Sequence, residues 1–483
     1  MKYAWLVIGV LAARFVTTAI TYPPGDGDLF WQRALGASIL RTHVVPRALG
    51  ADTFTAQNAP WVPQEWLFGI AAYLGRSGLG WDIFAGACAV AALGALAIAS
   101  YHAERRGASA RAIALCVAFA GYALFESFGV RAQVTAWPML ALLLLCLDID
   151  GPWCYAAIAV AAIWSNWHAS AMLAPILGGI YAVGSGLDER AFGSRTRRLT
   201  IVAVASAAAI CANPFGWDLP RYAIGLFNNP IKSYINEWSV TNVGDTSFLL
   251  GVFPLMLLAA FFGVRRTSPA SGEEDYRWRD LFALCVFGFL VLTAARNIGV
   301  FAIAALPIVA PALSRRVAWF ARVPEPPPTA NDKLAGVAIP AFTFAVAVTV
   351  AVRLIAATPP ATELANAPMA ALARIPGDHN VYCSDFAWCS LALGTPHERV
   401  FLDGRADPYP RDVWEDWVTI LRLDPSWQAI LARRGVDTMV LKRDEPLDQA
   451  LALVPGWRVA FSNTHYRLWL RTSWGAREAR TRS

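Results

Sequence analysis

The sequence predicts an α-helical polytopic membrane protein that carries a small C-terminal α/β domain. Three observations predict it. Of 483 residues, 56% are hydrophobic and only 16% charged, with a mean hydropathy of +0.42, whereas a soluble domain carries about 25% charged residues. Apolar runs approaching the roughly 20 residues that cross a bilayer recur through most of the chain. After the Pro-Pro pair at 359–360 the apolar runs shorten and alternate with amphipathic ones. An ordinary soluble enzyme is excluded. The net charge of +6 is not a nucleic-acid footprint, because most Arg residues sit in short loops between apolar runs.

About eleven candidate spans follow in order: 3–20, 82–103, 111–128, 133–148, 153–167, 169–185, 199–212, 246–263, 280–295, 298–314 and 335–356. The first has no small-residue cleavage site after it and reads as a retained helix. The segment at 65–75, EWLFGIAAYLG, is too short to span and reads as an interfacial helix. Alternate loops hold Arg105, Arg106 and Arg111; Arg190, Arg195, Arg197 and Arg198; Arg265, Arg266, Arg277 and Arg279; Arg315, Arg316, Arg322 and Lys333. With Lys2 they share one side, which the excess of Lys and Arg makes cytoplasmic. The loop after the first span and everything after residue 356 are then external. The Pro-rich stretch 322–333 is a cytoplasmic connection. Three regions result: a transmembrane region 1–356, an extracytoplasmic α/β domain 357–475, and a basic tail 476–483, read as disordered.

Polar residues gather at the external ends of the spans. Asp26, Asp28 and Glu65 belong to the first external loop, Glu126 and Arg131 to the next, Asn166 and His168 to the third. Arg221, Lys232 and Glu237 occupy the fourth, and Arg296 the fifth. An ionisable group near the bilayer core costs roughly 2.5–3.5 kcal/mol, so such groups are expected to line a cavity or meet a partner. Interfacial loops account for each position singly. As a set, they point to one polar pocket. Asp26 and Asp28, one glycine apart, have three readings: a solvated loop, a pair of ligands for a divalent metal, or a general base tuned by a neighbouring acid. In the C-terminal domain, RVFLDGRADPY reads either as a strand ending in an Asp-Gly turn or as a site at which Arg405 helps hold a substrate. Six cysteines lie in apolar runs and read as packing residues. Cys383 and Cys389 fall on the oxidising side and are expected to form a disulfide, with two free thiols as the alternative.

The stretch GDGDLFWQRALGASILRTHVVPRALGADTFTAQNAPWVPQEWLFG resembles the first external loop of bacterial multispanning glycosyltransferases of the GT-C superfamily, in the branch related to protein mannosyltransferases. The carrying residues are Asp26, Asp28, Trp31, Pro46, Asp52, Thr53, Thr55, Pro60, Trp61, Glu65 and Trp66; WSNWH, ANPFG, NEW and VFLDGRADPYP recur in the same order. The resemblance implies a polyprenyl-phosphate sugar donor and a glycan, lipid or protein acceptor meeting it at the external face of a bacterial cytoplasmic membrane. It implies a catalytic acid in the first loop, at Asp28 or Asp26. Relatives carry adjacent acids where Leu29 follows Asp28 here, so the resemblance leaves the two open. It makes Glu126 the candidate second acid. Arg131, Arg221, Lys232 and Arg296 are the groups able to hold a lipid phosphate, whose oxygens suit the planar guanidinium fork. It names no sugar. A transporter or flippase, or a scaffold displaying the external domain, are the rival readings.

Overall fold

The computed structural model describes residues 27–75, 81–226, 238–263, 265–267, 274–322, 368–375, 377–390 and 398–472, with isolated positions at 9, 11, 12, 14, 15, 234, 235, 338, 345 and 393. The expected first and last spans, the Pro-rich connection and the basic tail lie almost wholly outside the described residues, as do Asp26, Lys232 and Glu237. The chain divides into two compact units. One comprises Met1–Thr21 and Leu79–Thr358; the other joins Tyr22–Gly78 to Pro359–Ser483.

The first unit is a helical bundle. Among the described residues, Ile83–Arg105, Ala169–Glu189 and Ala295–Arg316 are long and apolar enough to cross a membrane. Ala132–Asp148, Pro152–Ser165 and Ser247–Gly263 are apolar but shorter. The helix Ile298–Arg316 is central to the unit: every residue from Ile298 to Ser314 is buried, as a largely apolar helix surrounded by others must be. Small residues let helices approach. A Cβ on Gly178 would stand 2.9 Å from the Ala203 backbone, and one on Gly251 would stand 2.7 Å from the Ala123 side chain. Of the six cysteines outside the disulfide, four are buried, but Cys285 is on the outer surface of its helix.

The second unit is built on a five-stranded mixed sheet. Its strand order is Glu398–Val400, His379–Cys383, Thr438–Lys442, Tyr466–Arg471, Trp457–Ser462. The first three strands are parallel, and the last two form an antiparallel hairpin on the third. Val381, Val400, Val440 and Leu468 are core residues. The amphipathic helices Arg411–Arg422 and Trp427–Arg434 bury Trp414, Trp417 and Ile430. The early segment completes this unit. Val400 donates to the Asp52 carbonyl (2.9 Å) and Phe54 donates to the Val400 carbonyl (3.3 Å), which covers the sheet edge that Glu398–Val400 would otherwise expose.

The stretch after Gly27 is where structure and expectation part. The sequence predicts a loop; residues Gly27–Thr42 form a 16-residue helix. Its buried face, with Leu29, Gln32, Leu35, Gly36 and Ile39, has helical spacing. It crosses the helix Trp66–Leu74, the short helix that the sequence does predict, at Gly36 and Gly69. A Cβ on Gly36 would lie 2.1 Å from the Gly69 carbonyl oxygen, so the crossing admits no side chain there.

Candidate active site

Asp28 stands in the first turn of the helix Gly27–Thr42, the end at which a carboxylate is favoured by the helix dipole. It is half-buried. The indole of Trp31, one turn on, donates to its Oδ1 at 3.1 Å. Gly404 lies against the same oxygen: a Cβ there would be 2.9 Å from Asp28 Oδ1 and 3.1 Å from Ser390 Oγ. The Gly404 N–H donates to Ser390 Oγ at 3.0 Å. Next to Ser390, Cys389 is bridged to Cys383, with Cα atoms 5.8 Å apart. The half-buried rings of Phe30 and Trp388 meet close by, centroids 5.9 Å apart.

Arg405 is among the most enclosed charges of this unit, its side chain 4% exposed. Nε donates to both Asp403 oxygens (3.0 and 3.1 Å) and Nη2 to Asp403 Oδ2 (2.5 Å). Nη1 donates to Asp52 Oδ2 at 2.8 Å. Tyr409 donates its hydroxyl proton to Asp403 Oδ2 at 2.8 Å, and the guanidinium lies over the Trp61 ring, 5.5 Å from its centroid. Burial opposes the Arg405 charge, but Asp403, Tyr409 and Asp52 outweigh it and hold its pKa well above the ordinary value. The sequence offers Arg405 as a group facing a substrate; the structure gives its fork to two carboxylates. Glu65 is also inward. Its Oε2 accepts from Gln32 Nε2 and its Oε1 from Gln64 Nε2 (2.9 Å), linking the two crossed helices.

The remaining candidates belong to the bundle. Arg296 meets Gln133: its carbonyl accepts from Gln133 Nε2 (2.6 Å), its Nη2 donates to Gln133 Oε1 (3.4 Å), and its guanidinium lies over Trp238 at 5.5 Å. Asn166 donates to the carbonyls of Ala162 and Ala212 (2.9 and 2.7 Å). His168 Nδ1 accepts from the Ser170 N–H (3.0 Å) and caps the turn that follows. Both interrupt apolar sequence because both shape a turn. Arg131 precedes the helix Ala132–Asp148 at its N-cap position, Glu126 is the exposed last residue of Ala110–Glu126, and exposed Arg221 pairs with Asp218 at 3.6 Å. Among the described residues, no group of three or more His, Cys, Asp or Glu is arranged to hold a metal ion.

A second polar cluster joins helix ends in the bundle. Asp148 accepts from Arg279 Nη1 (2.6 Å) and lies 3.1 Å from His102 Nε2, 3.6 Å from Arg195 and 3.7 Å from Arg106. Arg106 also pairs with buried Asp280. Sequence reasoning used these arginines only to orient the chain. The available signal was Asp148 and Asp280, acids placed among arginine-rich helix ends.

No protein-family model matches the sequence, and no curated protein matches it. Solved structures do. The archaeal oligosaccharyltransferase AglB from Archaeoglobus fulgidus, in complex with an inhibitory peptide and a dolichol-phosphate, matches with a TM-score of 0.54 at 10% identity, over 98% of this chain and 75% of that one. ArnT from Cupriavidus metallidurans in the apo state matches with a TM-score of 0.51 at 15% identity, over 97% of both chains. The Archaeoglobus fulgidus oligosaccharyltransferase tethered via a disulfide bond with an acceptor peptide containing the NVT sequon matches with a TM-score of 0.50 at 10% identity, over 98% of this chain and 75% of that one. The chain therefore shares the fold of these AglB and ArnT structures.

Proposed function

We propose that the chain is a membrane glycosyltransferase that moves a sugar from a polyprenyl-phosphate donor to an acceptor hydroxyl, with Asp28 as the base. The observation that supports it best is Asp28 itself: a half-buried carboxylate in a first helical turn, held by an indole N–H and seated against a glycine, in a chain with this fold. In this reading the acceptor oxygen attacks the anomeric carbon and its proton passes to Asp28. The sugar–phosphate bond breaks, and cations stabilise the departing phosphate. Arg296, with Arg131, Arg221 and Lys232, supplies the candidates. Asp26 is the neighbouring acid that tunes Asp28 or shares a divalent ion with it. AglB was solved with a dolichol-phosphate and with a peptide; by analogy the donor here is a polyprenyl-phosphate sugar, and a glycan, lipid or protein is the acceptor. Eleven spans in a bacterial cytoplasmic membrane, with Tyr22–Gly78 and the C-terminal domain on the external side, complete the proposal.

Asp28→Asn keeps shape and removes the charge. Transfer should fall by roughly 100-fold to 10,000-fold while donor lipid still binds. Full transfer in the Asp26→Asn/Asp28→Asn double variant rejects a catalytic role for both aspartates. If both single changes hurt and added divalent ion partly restores them, the pair holds a metal. A reporter active only outside the cytoplasm, fused after residue 470, should give signal; signal only from a cytoplasmic reporter rejects the eleven-span topology.

A further inference from the structure

We propose that Arg405 is a positioning residue, which fixes the Asp28 carboxylate through Gly404, and that the Cys383–Cys389 bridge braces the same contact through Ser390. The proposal rests on the reading of Asp28 as the base. Gly404 lets the turn come close to the carboxylate. Any Cβ would stand 2.9 Å from Asp28 Oδ1 and 3.2 Å from Trp31 Cδ1, and would push the carboxylate off the indole N–H that holds it. The residues on either side of Gly404 are locked to each other. Arg405 donates to Asp403 through its side chain and also through its backbone N–H (2.9 Å).

The remaining arm of the guanidinium reaches Asp52, in the segment paired with Val400. One cation therefore ties the turn bearing Gly404 to the chain that leads on from the helix of Asp28. From the other side, Ser390 Oγ accepts the Gly404 N–H, and the residue before Ser390 is covalently fixed to the strand His379–Cys383. Asp28 thus sits between its own helix and a turn that is tied on two sides. A base must hold its geometry closely, since a displacement of about 1 Å costs about 100-fold in rate.

The test uses the full-length oxidised protein in detergent. Release of undecaprenyl phosphate is followed from a panel of undecaprenyl-phosphate-linked hexoses and pentoses, with kcat normalised to the monodisperse folded fraction. Gly404→Ala should lower kcat about 100-fold and leave the donor KM within about twofold. Arg405→Lys should keep more kcat than Arg405→Ala, because an ammonium retains one of the two carboxylates without the fork. Asp52→Asn, the mildest change and the fallback should Arg405→Ala fail to fold, should lower kcat least and also spare KM. Full kcat in Gly404→Ala, or in Asp52→Asn and Arg405→Lys together, overturns the positioning role. A raised donor KM at unchanged kcat in Arg405→Lys makes Arg405 a substrate ligand instead. Full turnover in Asp28→Asn, or release from no donor by the unaltered protein, brings down the glycosyltransferase reading and the proposal with it. Loss in Asp28→Asn without loss in the other variants brings down the proposal alone.

Discussion

Glu445 shows how one side chain couples the C-terminal domain to pH. Burial is the largest influence on its carboxyl and raises its pKa; nearby Asp448 adds to the rise, while Ser384 and the Lys442 N–H pull the other way. A folded-state value above the unfolded one means that the fold favours the protonated form. The resulting stability is complete below the ordinary carboxyl range, near pH 4.3, and is lost as pH rises through the raised value. Glu445→Gln removes the titration and keeps an oxygen for the Lys442 N–H, which donates to Glu445 Oε1 at 3.0 Å. Amides of the strand Thr438–Lys442 should then be better protected from hydrogen exchange than in the unaltered protein at about pH 8, with no difference near pH 4. Equal protection at the higher pH contradicts the assignment. Residues whose chemistry is local are legible in sequence. Asp28 stands out beside Asp26, and Cys383 stands out six positions from Cys389. The clasp around Arg405 does not, because Asp52 is 353 positions away and no local pattern marks so distant a pair.

At the scale of elements, the apolar helices of the bundle are legible because length and hydropathy define them. The helix Gly27–Thr42 is obscured by the turn-forming residues just before it, although Leu29, Leu35 and Ile39 carry its periodicity. What makes it pack is a glycine, which hydropathy does not register. Gly36→Leu would drive a side chain into the Gly69 carbonyl and should destabilise the second unit by about 3 kcal/mol or more, seen as lost amide protection across Gln32–Ile39. Gly94, inside the helix Trp81–Arg105, is the contrast: a Cβ there meets nothing within 4 Å. Gly94→Ala should be neutral or stabilising by about 0.5–1 kcal/mol. A Gly36→Leu variant as stable as Gly94→Ala shows that the crossing is not close-packed.

At the scale of the molecule, the arginines that the positive-inside pattern places on one side do meet: Arg106, Arg195 and Arg279 surround Asp148. Asp148 ends one helix, and Arg279 and Asp280 begin another. Asp148 and the arginines at helix starts lie at unfavourable ends of their helix dipoles, so each offsets the other. The cluster joins four helix ends and gives the bundle a polar seam. Arg106→Ala leaves Asp280 buried without its main cation and should cost about 3–5 kcal/mol, whereas Arg106→Met with Asp280→Leu should recover most of it. Thermal melting of the detergent-solubilised protein checks both, and a double variant no better than the single one argues against the pair. The seam is invisible to a reading that treats loop charges only as topological signals.

The unit that seats Asp28 is assembled from Tyr22–Gly78 and Pro359–Ser483, with all of Leu79–Thr358 made in between. During synthesis the helix of Asp28 therefore emerges long before the turn at Gly404 and the bridge at Cys389 exist. The segment Asp52–Phe54 must wait for the strand that it will border. A ribosome-bound or truncated chain would carry Asp28 without the turn at Gly404, which arrives only with the last quarter of the polypeptide. Translation order itself then delays the closing of this unit until the bundle between its two halves has been made.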